Sequence, residues 1–238
     1  MKKLAVSFRH TFFPHSRISQ VPIEHIRKAL LLVFQKWGLP KVIKTDNGAP
    51  FGIPTRDAVP IMSLWLKGWG IEPVLNRPKQ PQDNASVERT QGTTSRWAEI
   101  RKALDVTDLQ NRLDRIRIEH LEKYQVKRLG FTTRKSVFPD LYLKPREWSE
   151  SQFDIQAAYA FLSRKTLQRK VASGGTISLY GKTFQVHLKY KRQWVTIKFN
   201  TTHLRWDVFD LKGEPIKTIE DARFDKHKRV FRILCQSC

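Results

Sequence analysis

The hydrophobic period of this 238-residue chain changes partway along, and that change limits what it can fold into. Up to about residue 130, short apolar runs alternate with stretches of helical spacing. Residues 4–11 read as a strand with Leu4, Val6 and Phe8 on one face, and residues 12–19 as a loop. Pro22 suits the first turn of a helix. Ile23, Ile26, Leu30, Val33, Phe34 and Trp37 then keep helical spacing up to the stop at Gly38-Leu39-Pro40. Val42 and Ile43 read as a short buried strand. Residues 57–69 read as a helix with Pro60 in its first turn, ended by Gly70, and residues 71–75 as another strand. A β-α-β-α-β order predicts an α/β layer fold with a mixed sheet flanked by helices.

The chain continues with a helix beginning at Asp83-Asn84 and poor in apolar residues. Arg89, Arg96, Arg101 and Lys102 punctuate it, so it is either a solvated helix or one that faces a polyanion. Thr107-Asp108-Leu109-Gln110 reads as a capping box opening a further helix. Residues 131–153 have no clear period and read as a linker packed on the first domain, and residues 155–167 as a short helix. From Lys170 the period is 2. Phe184, Val186, Leu188 and Tyr190 alternate, then Val195, Ile197 and Phe199, then Leu204, Trp206 and Val208, with turns at Gly181 and Lys212-Gly213. About five short strands in this space predict a small all-β barrel. The expected units are a core over 1–130, a linker over 131–168, a small barrel over 169–222 and a basic tail over 223–238.

Charge points to the partner. The chain carries 44 Lys+Arg against 22 Asp+Glu, a net of +22. Residues 151–238 alone hold 17 basic and 7 acidic residues, a net of +10. Such an excess repels itself unless it meets a polyanion, and nucleic acid gains affinity by releasing counterions. An anionic membrane surface is the rival, but no strongly amphipathic basic helix stands out. No apolar run approaches the ~20 residues needed to span a bilayer. Arg9 and His10 interrupt the N-terminal apolar stretch, so a secretory signal is not expected. The two cysteines, Cys235 and Cys238, form a Cys-x-x-Cys pair in the tail with no second pair. That spacing serves half a zinc site, a redox pair or nothing.

Two stretches carry candidate chemistry. In Lys41 to Gly52, KVIKTDNGAPFG, Asp46 ends a buried strand, where open α/β sheets place their sites; Asp46-Asn47-Gly48 is also ordinary turn chemistry. In Arg77 to Gly92, RPKQPQDNASVERTQG, a proline-bounded loop bearing Arg77 and Lys79 leads into a helix with Glu88 one turn in.

Together, Thr45-Asp46-Asn47-Gly48 and Pro78-x-x-Pro81-x-x-Asn84-x-x-Val87-Glu88-Arg89 resemble the second and third carboxylate motifs of the DDE transposases and retroviral-type integrases. The chain looks most like insertion-sequence transposases that carry the integrase catalytic core. The resemblance covers roughly residues 4–130 and extends through the small β-domain such proteins often carry. It implies a ribonuclease H-like sheet followed by an SH3-like barrel. It also implies DNA cleavage and strand transfer with Mg²⁺ or Mn²⁺, two ions about 3.5–4 Å apart clamping the attacking and leaving oxygens. On this resemblance Asp46 and Glu88 are catalytic metal ligands, with Asn84 supporting them from the same helical face. DNA contacts are expected from Arg77, Lys79, Arg89, Arg96, Lys182, Lys191 and Arg192. The implied partners are element ends, target DNA and a second copy or a full-length transposase. The implied setting is the bacterial cytoplasm, at the nucleoid.

The chain also departs from the family. Residues 1–23 contain no Asp or Glu, and the first acid, Glu24, falls inside a predicted helix. The first catalytic aspartate is therefore missing from its expected strand, so the core is expected to begin at about its third strand and to lack the preceding helix-turn-helix. Ser95 stands where many relatives have a basic residue, with Arg96 beside it, and Ala85 replaces the usual glycine. Asp57 and Asp83 read as helix starts. The expected consequence is weak metal binding and little or no strand transfer by this chain alone. Two further readings are a non-catalytic DNA-binding fragment that regulates full-length transposase and a nuclease acting on RNA–DNA hybrids; the basic barrel and the glutamate motif disfavour the nuclease.

Overall fold

The structure is a computed structural model describing residues 3–5, 22–52, 59–77, 80, 82–144, 146–225 and 230–231. The first unit alternates strand and helix in the order β1 (Lys3–Ala5), α1 (Ile23–Trp37), β2 (Val42–Thr45), α2 (Ile61–Gly68) and β3 (Glu72–Leu75). The sheet order is β1-β2-β3, and both pairings are parallel. The mixed sheet expected from the sequence is thus a parallel one among the described residues. The cause is the connections: each pair of strands is joined through a helix, and a helical crossover returns the chain in the same direction. Residues 6–19, the rest of the predicted first strand and its loop, lie outside the described residues.

Both helices form on the expected apolar spacing. Ile26, Leu30 and Phe34 of α1 are buried, as are Met62, Leu64, Trp65 and Leu66 of α2. Phe34 stacks on Trp65 with ring centroids 6.1 Å apart. Gly38 ends α1 at φ 77°, and a Cβ there would lie 2.5 Å from the Arg146 carbonyl oxygen, so only glycine fits. Arg146 in turn donates to the Pro40, Trp69 and Gly70 carbonyls, which packs the aperiodic segment on the first unit as expected.

α3 (Gln82–Trp97) is followed by α4 (Val106–Ile118). The cap of α4 differs from the expected one. Asp105 accepts from the Asp108 N–H at 2.8 Å, and Asp108 accepts from the Leu104 N–H at 3.1 Å. A carboxylate at the N-cap serves the same orphan donors as Thr107 would, and the helix starts two residues earlier. A short hairpin of β4 (Gln125–Val126) and β5 (Thr132–Thr133) leads into α5 (Arg134–Val137) and α6 (Ile155–Ser163).

The last unit holds β6 (Thr166–Lys170), β7 (Thr176–Leu179), β8 (Lys182–Gln185), β9 (Trp194–Asn200), β10 (Arg205–Phe209) and β11 (Pro215–Ile219). The expected barrel is not closed. A four-stranded antiparallel sheet, β11-β10-β9-β6, faces a separate β7-β8 hairpin. The predicted run through Tyr190 breaks after β8, because Leu188–Tyr190 is a 3-10 turn and Leu188 is exposed. The chain therefore leaves the ladder between β8 and β9, and β9 pairs with β6 instead. Tyr180 and Gly181, at φ 49° and 76°, form the tight hairpin turn. The two sheets bury Leu167, Ile177, Leu179, Val195, Ile197, Trp206 and Val208 between them.

α6 connects the units. It packs against α2, and its Tyr159 ring meets Phe199 of β9 at 5.5 Å. A single hydrophobic cluster thus runs from Leu30 of α1 to Ile219 of β11. Among the described residues, no helix is long and apolar enough to cross a membrane.

Candidate functional site

The carboxyl ends of β2 and β3 lie side by side, because the Asn76 N–H donates to the Thr45 carbonyl at 2.9 Å. Asp46 follows β2, the central strand, and Asn76 follows β3. Asp46 is half-buried and accepts the Gly48 N–H at 3.4 Å, so it serves its own turn while sitting at the sheet's carboxyl edge. The turn is pinned from two sides. Ser63 donates to the Phe51 carbonyl at 3.0 Å, and a Cβ on Gly52 would lie 2.6 Å from Leu75.

α3 docks onto this edge through its first turn. The buried Asn76 donates from Nδ2 to Asn84 Oδ1 at 2.6 Å. Thr45 Oγ1 and Asn76 Oδ1 are buried with no hydrogen-bond partner among the described residues, leaving acceptor capacity at the strand ends. Glu88 lies one turn beyond Asn84, on the same helical face, and is exposed. The structure thus gathers Asp46, Asn76 and Asn84 at one edge and presents Glu88 on the adjoining turn.

Asp83 stands in the first turn of α3, as the expected helix start, and takes a second role. It lies inside α3 and binds Arg77 through Nη2 at 2.9 Å, Nε at 3.3 Å and the backbone N–H at 3.0 Å. Lys44 of β2 approaches it at 3.5 Å. The Arg77 hydrogen bonds hold the Asp83 carboxyl well below the usual carboxylate range, and Arg77 is raised in turn. Arg77 is therefore exposed but already engaged. Asp57 and Lys79 lie outside the described residues.

The remaining basic candidates fall on two elements. Arg89 and Arg96 are exposed on α3. Arg96, Arg101 and Lys102 line an open groove of about 460 Å³ together with Gly92, Ser95, Glu99 and Ile100. Glu99 pairs with Lys102 at 2.7 Å, and that hydrogen bond keeps its carboxyl low. Trp97 anchors the far end of this polar helix, edge-on to His120 at 5.4 Å and to Tyr124 at 5.3 Å. Lys182 is exposed on β8, and Lys191 and Arg192 are exposed in the turn before β9. Cys235 and Cys238 lie outside the described residues.

A two-ion centre requires several carboxylates, one of them bridging. Among the described residues, no group of three or more His, Cys, Asp or Glu could hold a metal ion. Asp46 and Glu88 are two donors, one of them exposed, so the described residues do not fit a Mg²⁺ or Mn²⁺ pair. No protein-family model matches the chain.

Asn76, Lys44 and the clamp on Asp83 escaped the sequence reading. Asn76 carried one usable signal, a polar residue directly after a strand, as Asp46 is after β2. The Arg77–Asp83 pair spans a loop, so no periodicity announces it.

Proposed function

We propose that this chain is a DNA-binding protein of DDE transposase or integrase type, built on a ribonuclease H-like core and an SH3-like module. The observation that carries this reading is Asp46 at the carboxyl end of the central strand, beside the strand end to which the Asn84–Glu88 helix is tied. The two motifs thereby meet at one edge of a parallel sheet, where ligands of open α/β sheets bind. The excess of positive charge supplies attraction for the phosphate backbone. The α3 groove and the turn carrying Lys191 and Arg192 are the candidate contacts.

The carboxylate pair supports binding better than chemistry. With two donors, we expect no strand transfer by this chain alone, and a regulatory role as a partner of full-length transposase is the second reading. The absence of a three-carboxylate group among the described residues favours it. The test is duplex DNA binding and Mg²⁺-dependent cleavage by wild type and Glu88→Gln. Binding should be equal or tighter in the variant, since a negative charge near phosphates is removed. Cleavage by wild type that vanishes in the variant would replace the regulatory reading with a catalytic one. Absence of DNA binding would overturn both.

A further inference from the structure

The outer face of the four-stranded sheet has a composition that the fold does not require. Strand β9 alternates strictly, burying Val195, Ile197 and Phe199 and turning Trp194, Thr196 and Lys198 outward. Pairing fixes what stands beside them. Lys170 of β6 is opposite Trp194, Gln168 and Phe209 flank Thr196, and Asp207 flanks Lys198. Trp194 is 48% exposed, although an indole gains most by burial. No ring or cation contact engages Trp194 or Phe209 among the described residues. Phe209 is diagonal to Trp194, a spacing of about 7–8 Å between such neighbours.

Charge sets the occupant. Lys170 and Lys198 have no ion-pair partner among the described residues, whereas Asp207 is neutralised by Arg205 at 3.0 Å and takes a hydrogen bond from Asn200 at 2.8 Å. The face is therefore net positive, with two aromatic rings set between amide and hydroxyl side chains. An acidic backbone carrying planar groups matches it. In a duplex those planar groups are already stacked, so a flat aromatic face gains them only from a single strand.

We infer that this face is a stacking platform for single-stranded DNA, with Trp194 and Phe209 against bases and Lys170 and Lys198 against phosphates. The inference rests on the DNA-binding reading above and names a second surface, separate from the Asp46 edge.

The test is fluorescence anisotropy of the full chain with labelled oligo-deoxythymidine, oligo-uridine and a duplex. Trp194→Ala should weaken oligo-deoxythymidine binding about tenfold, the size expected for one lost base stack. Trp194→Phe should largely restore it, and duplex binding should not change. Lys170→Glu, on an exposed position, should weaken single-strand binding and flatten its salt dependence. Equal oligo-deoxythymidine binding by wild type and Trp194→Ala overturns the platform, as does a preference for oligo-uridine. A chain that binds duplex but not single strands overturns this inference alone. A chain that binds neither overturns the DNA-binding reading as well.

Discussion

At the scale of single residues, buried polar groups decide more than exposed charges. Asp221 is 3% exposed. Burial opposes its ionisation, but the Arg223 guanidinium, held at 2.6 Å, and the Arg223 N–H outweigh it, so its carboxyl stays below the usual range. Arg223 also donates to the Leu179 and Tyr180 carbonyls and thereby ties the β7-β8 hairpin to the end of the sheet. Arg223→Ala should cost about 3 kcal/mol or more, because it strands a buried carboxylate. The pH effect has a definite sign. A carboxyl depressed in the folded state stabilises above its unfolded value of about 4, and the gain is lost as pH falls through the folded value. Thermal melts of wild type should drop between pH 5 and pH 3 by more than those of Asp221→Asn. Asn76→Ala, which removes one hydrogen bond at the sheet edge, should cost about 1 kcal/mol in denaturant unfolding.

At the scale of elements, close approaches set the register of helices on their neighbours. A Cβ on Gly68, in the last turn of α2, would lie 2.4 Å from the Phe153 ring. That contact brings the aperiodic segment onto α2, where Phe153 also meets Trp69 edge-on at 5.1 Å. Gly68→Ala should destabilise by about 1–3 kcal/mol, the usual cost of overpacking, measured by denaturant midpoint at constant slope. α3 illustrates the opposite case. Its middle is polar and exposed, and it is held by Asn84 at one end and Trp97 at the other. Trp97→Ala should therefore increase hydrogen exchange in the second half of α3 while leaving that of β2 and β3 unchanged.

At the scale of the whole molecule, α6 joins two hydrophobic layers into one. Tyr159 is 1% exposed and lies against Phe199, while its helix packs on α2. The α/β unit and the β unit should therefore unfold together. Calorimetry of wild type should show one transition, and Tyr159→Ala should either lower it sharply or split it in two. Charge acts at the same scale. With a net of +22, the proposed DNA binding is expected to fall linearly on a log–log plot against salt, with a slope set by the number of phosphates neutralised.

The sequence alone determined the elements and the charge. Residue spacing placed α1, α2, β2, β9 and β10, since each period reports one buried face and needs no knowledge of the partner; α3, poor in apolar residues, was marked only by its start at Asp83-Asn84, and β6 begins at Thr166, inside the helix expected over 155–167. The alternation of Val195, Ile197 and Phe199 likewise predicted the inner face of β9. Only the tertiary structure decided what those faces meet. It made the first sheet parallel and opened the expected barrel into a sheet and a hairpin. It also tied Asn84 to Asn76 and Arg77 to Asp83. These outcomes rest on contacts between residues distant along the chain or across a loop, where periodicity carries no information. A strand's sequence states which side is buried, whereas its neighbour, direction and register follow from how the connecting segments pack.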